Sequence, residues 1–167
     1  MNSKIILVGD GGVGKTVLVS RLIGQDFDKK YIATIGVWKA TYKNLNILDC
    51  AGQEKFSGLG DGYYIGADYA IVMFDISNRT SFRNIPRWIN KIRHVVPNIK
   101  IILVGNKSDI EGKKVSIIAI HLMINKINKI NNIKMYFEVS AKDSVNINDP
   151  FDYIINDLSV VDAPAGV

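Results

Sequence analysis

Gly9-Asp10-Gly11-Gly12-Val13-Gly14-Lys15-Thr16 follows an apolar run, Lys4-Ile5-Ile6-Leu7-Val8, and precedes a helical pattern, Val17-Leu18-Val19-Ser20-Arg21-Leu22-Ile23. The spacing is G-x-x-x-x-G-K-[ST], and strand, glycine loop and helix come in the order that a phosphate-binding loop needs. Glycines let the backbone come close to an anion, with N–H groups turned inward and a helix N-terminus behind them. The expected lining runs from Asp10, Gly11, Gly12 and Val13 through Gly14 and Lys15 to Thr16 and Val17. In this reading Lys15 neutralises the β- and γ-phosphates, and the Thr16 hydroxyl ligates Mg²⁺.

A phosphate loop does not choose a base. Asn106-Lys107-Ser108-Asp109 does, placed just after a second buried-strand pattern, Ile99 to Gly105. Ligands of open α/β sheets sit beyond the carboxyl ends of the strands. A carboxylate there accepts from both N1–H and the 2-amino group of guanine, a donor pair that adenine lacks. A third strand pattern, Met135 to Val139, leads into Ser140-Ala141-Lys142, whose backbone N–H groups are placed to meet guanine O6. One such tetrapeptide is a weak signal; three loops in this order at three strand ends are a strong one. An ATPase or nucleotide kinase is disfavoured by the Asn106–Asp109 motif.

With these residues the chain resembles a small GTPase of the Ras superfamily, and within it the Ran family. Lys29-Lys30-Tyr31-Ile32-Ala33-Thr34-Ile35-Gly36-Val37 is similar to the Ran switch I, and Lys55 to Ile65 to its switch II. The resemblance covers the chain from about Ile5 to about Asp157. It implies a P-loop α/β fold: a six-stranded, mostly parallel sheet with helices on both faces. It also implies GTP/GDP and Mg²⁺ as ligands, and roles for further residues. Thr34 corresponds to the threonine that reaches Mg²⁺ when a γ-phosphate is present, and Asp49 to the strand-end carboxylate that holds the ion through water. Gly52 corresponds to the γ-phosphate sensor and Gln53 to the glutamine that orients the attacking water. Phe27 stands where relatives place a ring against guanine, and Tyr31 belongs to the same nucleotide-contacting segment. The implied function is a GTP/GDP switch with slow hydrolysis in nucleocytoplasmic transport. An exchange factor, a GTPase-activating protein and importin/exportin-type receptors would be its partners. The alternative is a catalytically weak guanine-nucleotide-binding module that engages a Ran- or Rab-type partner without normal cycling.

Two departures from the Ran pattern stand out. Thr34 and Asp49 are separated by 15 positions (49 − 34), where family members carry roughly seven more, about the length of one strand. The edge hairpin between them is therefore expected to be short. The C-terminal Val161 to Val167 has neither the acidic tail of Ran proteins nor a prenylation cysteine, so no lipid anchor is expected.

Composition fits one domain. The 167 residues, 47% hydrophobic, suffice for a sizeable core in a single domain spanning residues 1–167, with a loose tail from about 160. No apolar run approaches the roughly 20 residues of a membrane span. The start reads directly as strand pattern, leaving no room for a signal peptide. The single cysteine, Cys50, cannot form an internal disulfide, which fits a reducing compartment. A soluble monomer of nucleus and cytoplasm is expected. The net charge of +5 is spread along the chain without a concentrated basic footprint, so direct nucleic-acid binding is not expected. His94 and His121 fall in different helical patterns and suggest no metal site.

Between the motifs, strand and helix patterns alternate. Val37–Tyr42 and Leu45–Leu48 read as a hairpin turning at Lys43-Asn44, with Asn supplying the positive φ. Tyr69 to Asp75 reads as a strand, Ser81 to Val95 as a helix that Pro86 bends or delays. Ser116 to Ile130 reads as a helix with an apolar stripe at 117, 120, 124 and 127, and the last helix opens at Pro150. Cys50 reads as a small buried apolar residue, with a redox handle beside Mg²⁺ as the lesser alternative. Trp38, Trp88 and the Tyr63-Tyr64 pair read as packing or partner-contact residues, with Tyr63-Tyr64 the better candidate for partner contact.

Overall fold

The computed structural model describes residues 2–24, 37–50, 61–128 and 133–161. Phe27, Tyr31, Thr34, Gly52 and Gln53 lie outside the described residues. The strands are β1 (Ser3–Val8), β2 (Val37–Tyr42), β3 (Leu45–Cys50), β4 (Tyr69–Asp75), β5 (Lys100–Asn106) and β6 (Ile133–Glu138). They form one sheet in the order β2-β3-β1-β4-β5-β6. Only the β2–β3 pair is antiparallel. The helices are α1 (Lys15–Leu22), α2 (Arg79–Arg83), α3 (Ile85–Val95), α4 (Ile117–Asn128) and α5 (Asp149–Val161), with a short 3-10 turn at Asp61–Tyr64.

Strand alternation sends neighbouring side chains to opposite faces. Ile6, Val8, Ala70, Val72, Phe74, Ile101 and Leu103 go to the face covered by α3 and α4. Ile5, Leu7, Ile71, Met73, Ile102 and Val104 go to the other face, against Leu18 of α1 and Phe151 and Ile154 of α5. Both faces of the central strands are thus dry, which is why these parallel strands read as unbroken apolar runs instead of alternating ones. The expected fold is the one observed.

Local differences have local causes. The positive φ of the hairpin turn falls on Lys43 (51°), not on Asn44, and each arm has six residues where four to six were expected. The expected helix over 81–95 is two helices. Asn78 caps the first, its side chain accepting from Thr80 N and Ser81 N, and the second begins after Asn84 with Pro86 in its first turn. Proline's missing N–H is harmless there and its fixed φ suits a helix start, so Pro86 marks a boundary and not a bend. In the expected apolar stripe of α4, Ile120 and Ile127 are buried and Ile124 packs on the core, but Ile117 is 49% exposed. Val160 and Val161, placed in the loose tail by the sequence pattern, continue α5.

Phe151 is fully buried and meets the Tyr42 ring edge-on at 6.1 Å. Phe151→Ala should therefore cost about 3–5 kcal/mol in urea unfolding, whereas Ile118→Lys, on the open side of α4, should shift stability by no more than about 0.5 kcal/mol. A loss at Phe151 no larger than that at Ile118 would contradict this packing.

Candidate functional site

Three strands, β1, β5 and β6, deliver their following loops to the carboxyl end of the sheet, where β3 ends with Asp49 and Cys50, and the motif residues described there converge. The chain leaves β1 through Gly9, whose backbone passes so close to Met73 that a Cβ would lie 2.1 Å from the Met73 carbonyl oxygen. It enters α1 at Gly14, in the left-handed region (φ 97°), where a Cβ would strike the Asn106 amide at 2.3 Å. Only glycine fits at either point. Gly14 caps α1 without a side-chain hydrogen bond, and no acidic residue lies in the first turn. The first N–H groups of α1 therefore keep their capacity to bind an anion.

Lys15 is buried, with Nζ donating to the Gly9 carbonyl at 2.8 Å and the Asp10 carbonyl at 3.0 Å. Burial pulls its pKa below the ordinary lysine value, while the Asp49 and Asp10 carboxylates pull it back up. The Thr16 hydroxyl hydrogen-bonds Asp49 Oδ2. Asp49 is fully buried, its pKa raised by burial against the opposing pull of Thr16 and Lys15. Its other oxygen, Oδ1, finds no hydrogen-bond partner among the described residues. A hydroxyl beside an orphaned, buried carboxylate oxygen is a hard-oxygen donor pair of the type that suits Mg²⁺. Thr16 and Asp49 thus fit the ion expected from the sequence.

At the other end of the edge, Asn106 is buried, its Nδ2 donating to the Val13 carbonyl and its Oδ1 accepting from Ala141 N, both at 2.9 Å. One amide thereby joins the phosphate loop to the loops after β5 and β6. Burial works against the Asp109 carboxylate. The Ser140 hydroxyl donating to Oδ1 at 2.7 Å and Lys142 Nζ 3.6 Å from Oδ2 nevertheless hold its pKa below the usual range. Ser140 Oγ also accepts from Asp143 N at 3.1 Å. Lys107, in the left-handed region (φ 69°), pairs with Asp75 at 2.7 Å. Burial likewise opposes the Asp75 carboxylate, but Lys107 and Ser77 keep its pKa low. Val17 packs at the edge of the α1 core.

The structure thus brings together Asp10, Val13, Gly14, Lys15, Thr16 and Asp49 around one centre, and Asn106, Lys107, Asp109, Ser140, Ala141 and Lys142 around an adjoining one. Three participants were missed. Asp75 stands in register with Asn106 at the end of β4, a position that the strand pattern alone contained. Asn84 Nδ2 and Trp88 Nε1 donate to the two Asp10 carboxylate oxygens at 2.7 and 2.8 Å; no sequence motif announces that contact. Among the described residues no group of three or more histidine, cysteine, aspartate or glutamate side chains could hold a metal, and no helix is long and apolar enough to cross a membrane.

A doubly covered parallel sheet with a glycine loop opening onto a helix N-terminus, and an aspartate braced beside it, defines a P-loop nucleotide-binding protein. The sequence model of the Ras family matches residues 4–160. The chain belongs to the Ras family and is a small GTPase. Members of this family bind guanine nucleotide with Mg²⁺, hydrolyse GTP, and engage exchange factors and activating proteins.

Cys50, at the end of β3, is buried, and burial together with the Asp49 charge pushes its pKa up to about 12. It is a thiol at neutral pH and a poor nucleophile. Iodoacetamide at pH 7.5 should leave Cys50 of the folded chain unmodified and label it after denaturation, read by mass spectrometry; prompt labelling of the folded chain would refute its burial.

Proposed function

We propose that the chain is a Ran-like GTP/GDP switch acting in nucleocytoplasmic transport as a soluble protein of nucleus and cytoplasm. The guanine reading is carried by one observation: Asp109, three residues beyond the Asn106 that ties to the phosphate loop, is held by the Ser140 hydroxyl at 2.7 Å and faces Lys142 Nζ at 3.6 Å. An ionised, fixed carboxylate accepts two parallel donors from guanine, and an adenine ring offers no match. The Ran-type assignment rests on the Lys55–Ile65 stretch; within it, Tyr64 is buried under α3 with Lys91 Nζ 5.9 Å from its ring centre.

In the reaction, phosphoryl transfer from GTP to water, this chain supplies positions and charge. Lys15 Nζ, held by the Gly9 and Asp10 carbonyls, has its third donor and its charge for the β- and γ-phosphates. Thr16 and Asp49, with Thr34, hold Mg²⁺, which when bound neutralises phosphate charge. The first N–H groups of α1 and the loop backbone orient the phosphates. Gln53 directs the water, and the Gly52 N–H marks the γ-phosphate. Neither Lys29–Val37 nor Lys55–Ile65 contains an arginine that could act in cis, so unaided turnover is expected on the order of 10⁻⁴ to 10⁻³ per second, as in Ras without its activator.

Asp109→Asn inverts one acceptor into a donor and should shift preference from GTP toward xanthosine triphosphate by about tenfold or more, since a site built for a hydrogen bond strongly rejects a partner that cannot make it. Equal GTP affinity in mutant and parent, by titration, would show that Asp109 does not read the base. Gln53→Leu should slow single-turnover phosphate release about tenfold or more while leaving GTP binding nearly intact, because the side chain acts on the water and not on the ligand. Equal rates would favour the non-cycling binding module.

The receptor claim is tested separately. The hairpin arms of six residues give less edge surface than a longer pair would. Binding to an importin-type receptor is therefore expected to depend on GTP and to be weaker than that of full-length Ran. Calorimetry with each nucleotide state decides it: Ran-like tight binding refutes the weakening, and no nucleotide dependence refutes the switch.

A further inference from the structure

Asp10 is an acidic residue in a loop that receives a polyanion, and the loop chemistry does not use its side chain. Both carboxylate oxygens are taken by α3 and the residue before it: Oδ2 by Asn84 Nδ2 at 2.7 Å, Oδ1 by Trp88 Nε1 at 2.8 Å. The backbone carbonyl of the same residue accepts from Lys15 Nζ at 3.0 Å. Asp10 is therefore gripped on its side-chain side by α3 and on its main-chain side by the phosphate-binding lysine. Trp88 is itself fixed: it is 7% exposed, packed in the core, and Lys91 Nζ stands 5.8 Å from its ring centre. The Asn84 amide makes no capping bond to the α3 backbone, so its described work is the bond to Asp10.

The charge argument gives this grip a purpose. A carboxylate free to rotate in the phosphate loop repels the phosphates in some of its rotamers. Bound by two donors at the first turn of α3, its charge rests where the helix macrodipole favours it, and the loop backbone keeps one shape. Charge-assisted hydrogen bonds of this length are among the stronger ones.

We propose that Asn84 and Trp88 are positioning residues for nucleotide retention, acting by holding the Asp10 carboxylate so that the phosphate loop and Lys15 stay arranged for the β-phosphate. This rests on the reading of the site as a guanine nucleotide site.

The test is the dissociation rate, from the full chain at fixed Mg²⁺, of GDP carrying an N-methylanthraniloyl fluorophore, chased with unlabelled GDP. Trp88→Phe keeps most of the ring and removes the N–H; it should speed release about tenfold, as loss of one charge-assisted hydrogen bond predicts. Asn84→Ala should act in the same direction and carries the test if Trp88→Phe does not fold. Asp10→Ala should release at least as fast, and adding Trp88→Phe to it should change nothing further, because the tryptophan then has nothing to hold. Asp10→Asn should recover part of the loss, since a turned Asn84 amide can accept from the new side chain while Trp88 still donates to it. Rates within about twofold of the parent for both single donor variants, or a full Trp88→Phe effect persisting in the Asp10→Ala background, would overturn the proposal. A parent chain that retains labelled GDP no better than labelled ADP would instead overturn the guanine reading, and the clamp with it.

Discussion

The site depends on one buried side chain. Asn106 accepts from the Ala141 backbone and donates to the Val13 carbonyl, both at 2.9 Å, with almost no exposure. Backbone polar groups inside a protein must find partners, and an amide supplies a donor and an acceptor on one rigid plane. Here that plane spans loops from three strands. It fixes the distance between the place that holds phosphates and the place that reads a base. It also explains why Gly14 has no alternative: the Asn106 amide occupies the space that a Cβ would need. Removing either half of the amide would leave a buried backbone group unpaired, the costlier of the two ways to lose a hydrogen bond.

The distribution of strain and charge follows from that frame. Lys107, next to Asn106, adopts a positive φ that lysine rarely takes, and its ammonium returns to Asp75 at the end of β4. A residue held in the left-handed region persists only where its surroundings determine it. The Asp75 pair, itself steadied by Ser77, is such a determinant. On the phosphate side the carboxylates fall into two groups. Asp49 keeps one oxygen without a partner among the described residues, suiting a cation, whereas both oxygens of Asp10 are already engaged by α3. Two acidic residues near one anion site thus have opposite assignments, set by what each touches.

Much of this was legible in the sequence because it rests on local rules. Central parallel strands are buried on both sides, so their residues read as apolar runs; Gly9 and Gly14 stand where a Cβ would strike the Met73 backbone or the Asn106 amide. Lys15, Thr16, Asn106 and Asp109 are bound to strand ends by spacing. What escaped were contacts between elements distant in the chain. Nothing within ten residues of Asp10 indicates that Asn84 and Trp88 will hold it; an indole N–H looks the same in a core residue as in a bridging one. The split of one expected helix into α2 and α3 was masked by continuous helical patterning, although Asn84 followed by Pro86 is a boundary signal on its own. The turn at Lys43 shows the opposite limit. Asparagine is the better left-handed residue, yet the two-residue turn between Tyr42 and Leu45 carries its positive φ on the lysine.

The small hairpin shows how the fold tolerates a loss that the site would not. β2 joins the sheet only through β3, at one edge, and its residues are half-buried or exposed. β3 in contrast is buried along most of its length, runs beside β1, and carries Asp49 in register with Leu7. Shortening the pair at its turn therefore removes edge surface without moving the end of β3, where Asp49 meets Thr16. The end of the hairpin that carries Asp49 and the end that carries its turn are opposite ends of the same pair. Change in one does not require change in the other.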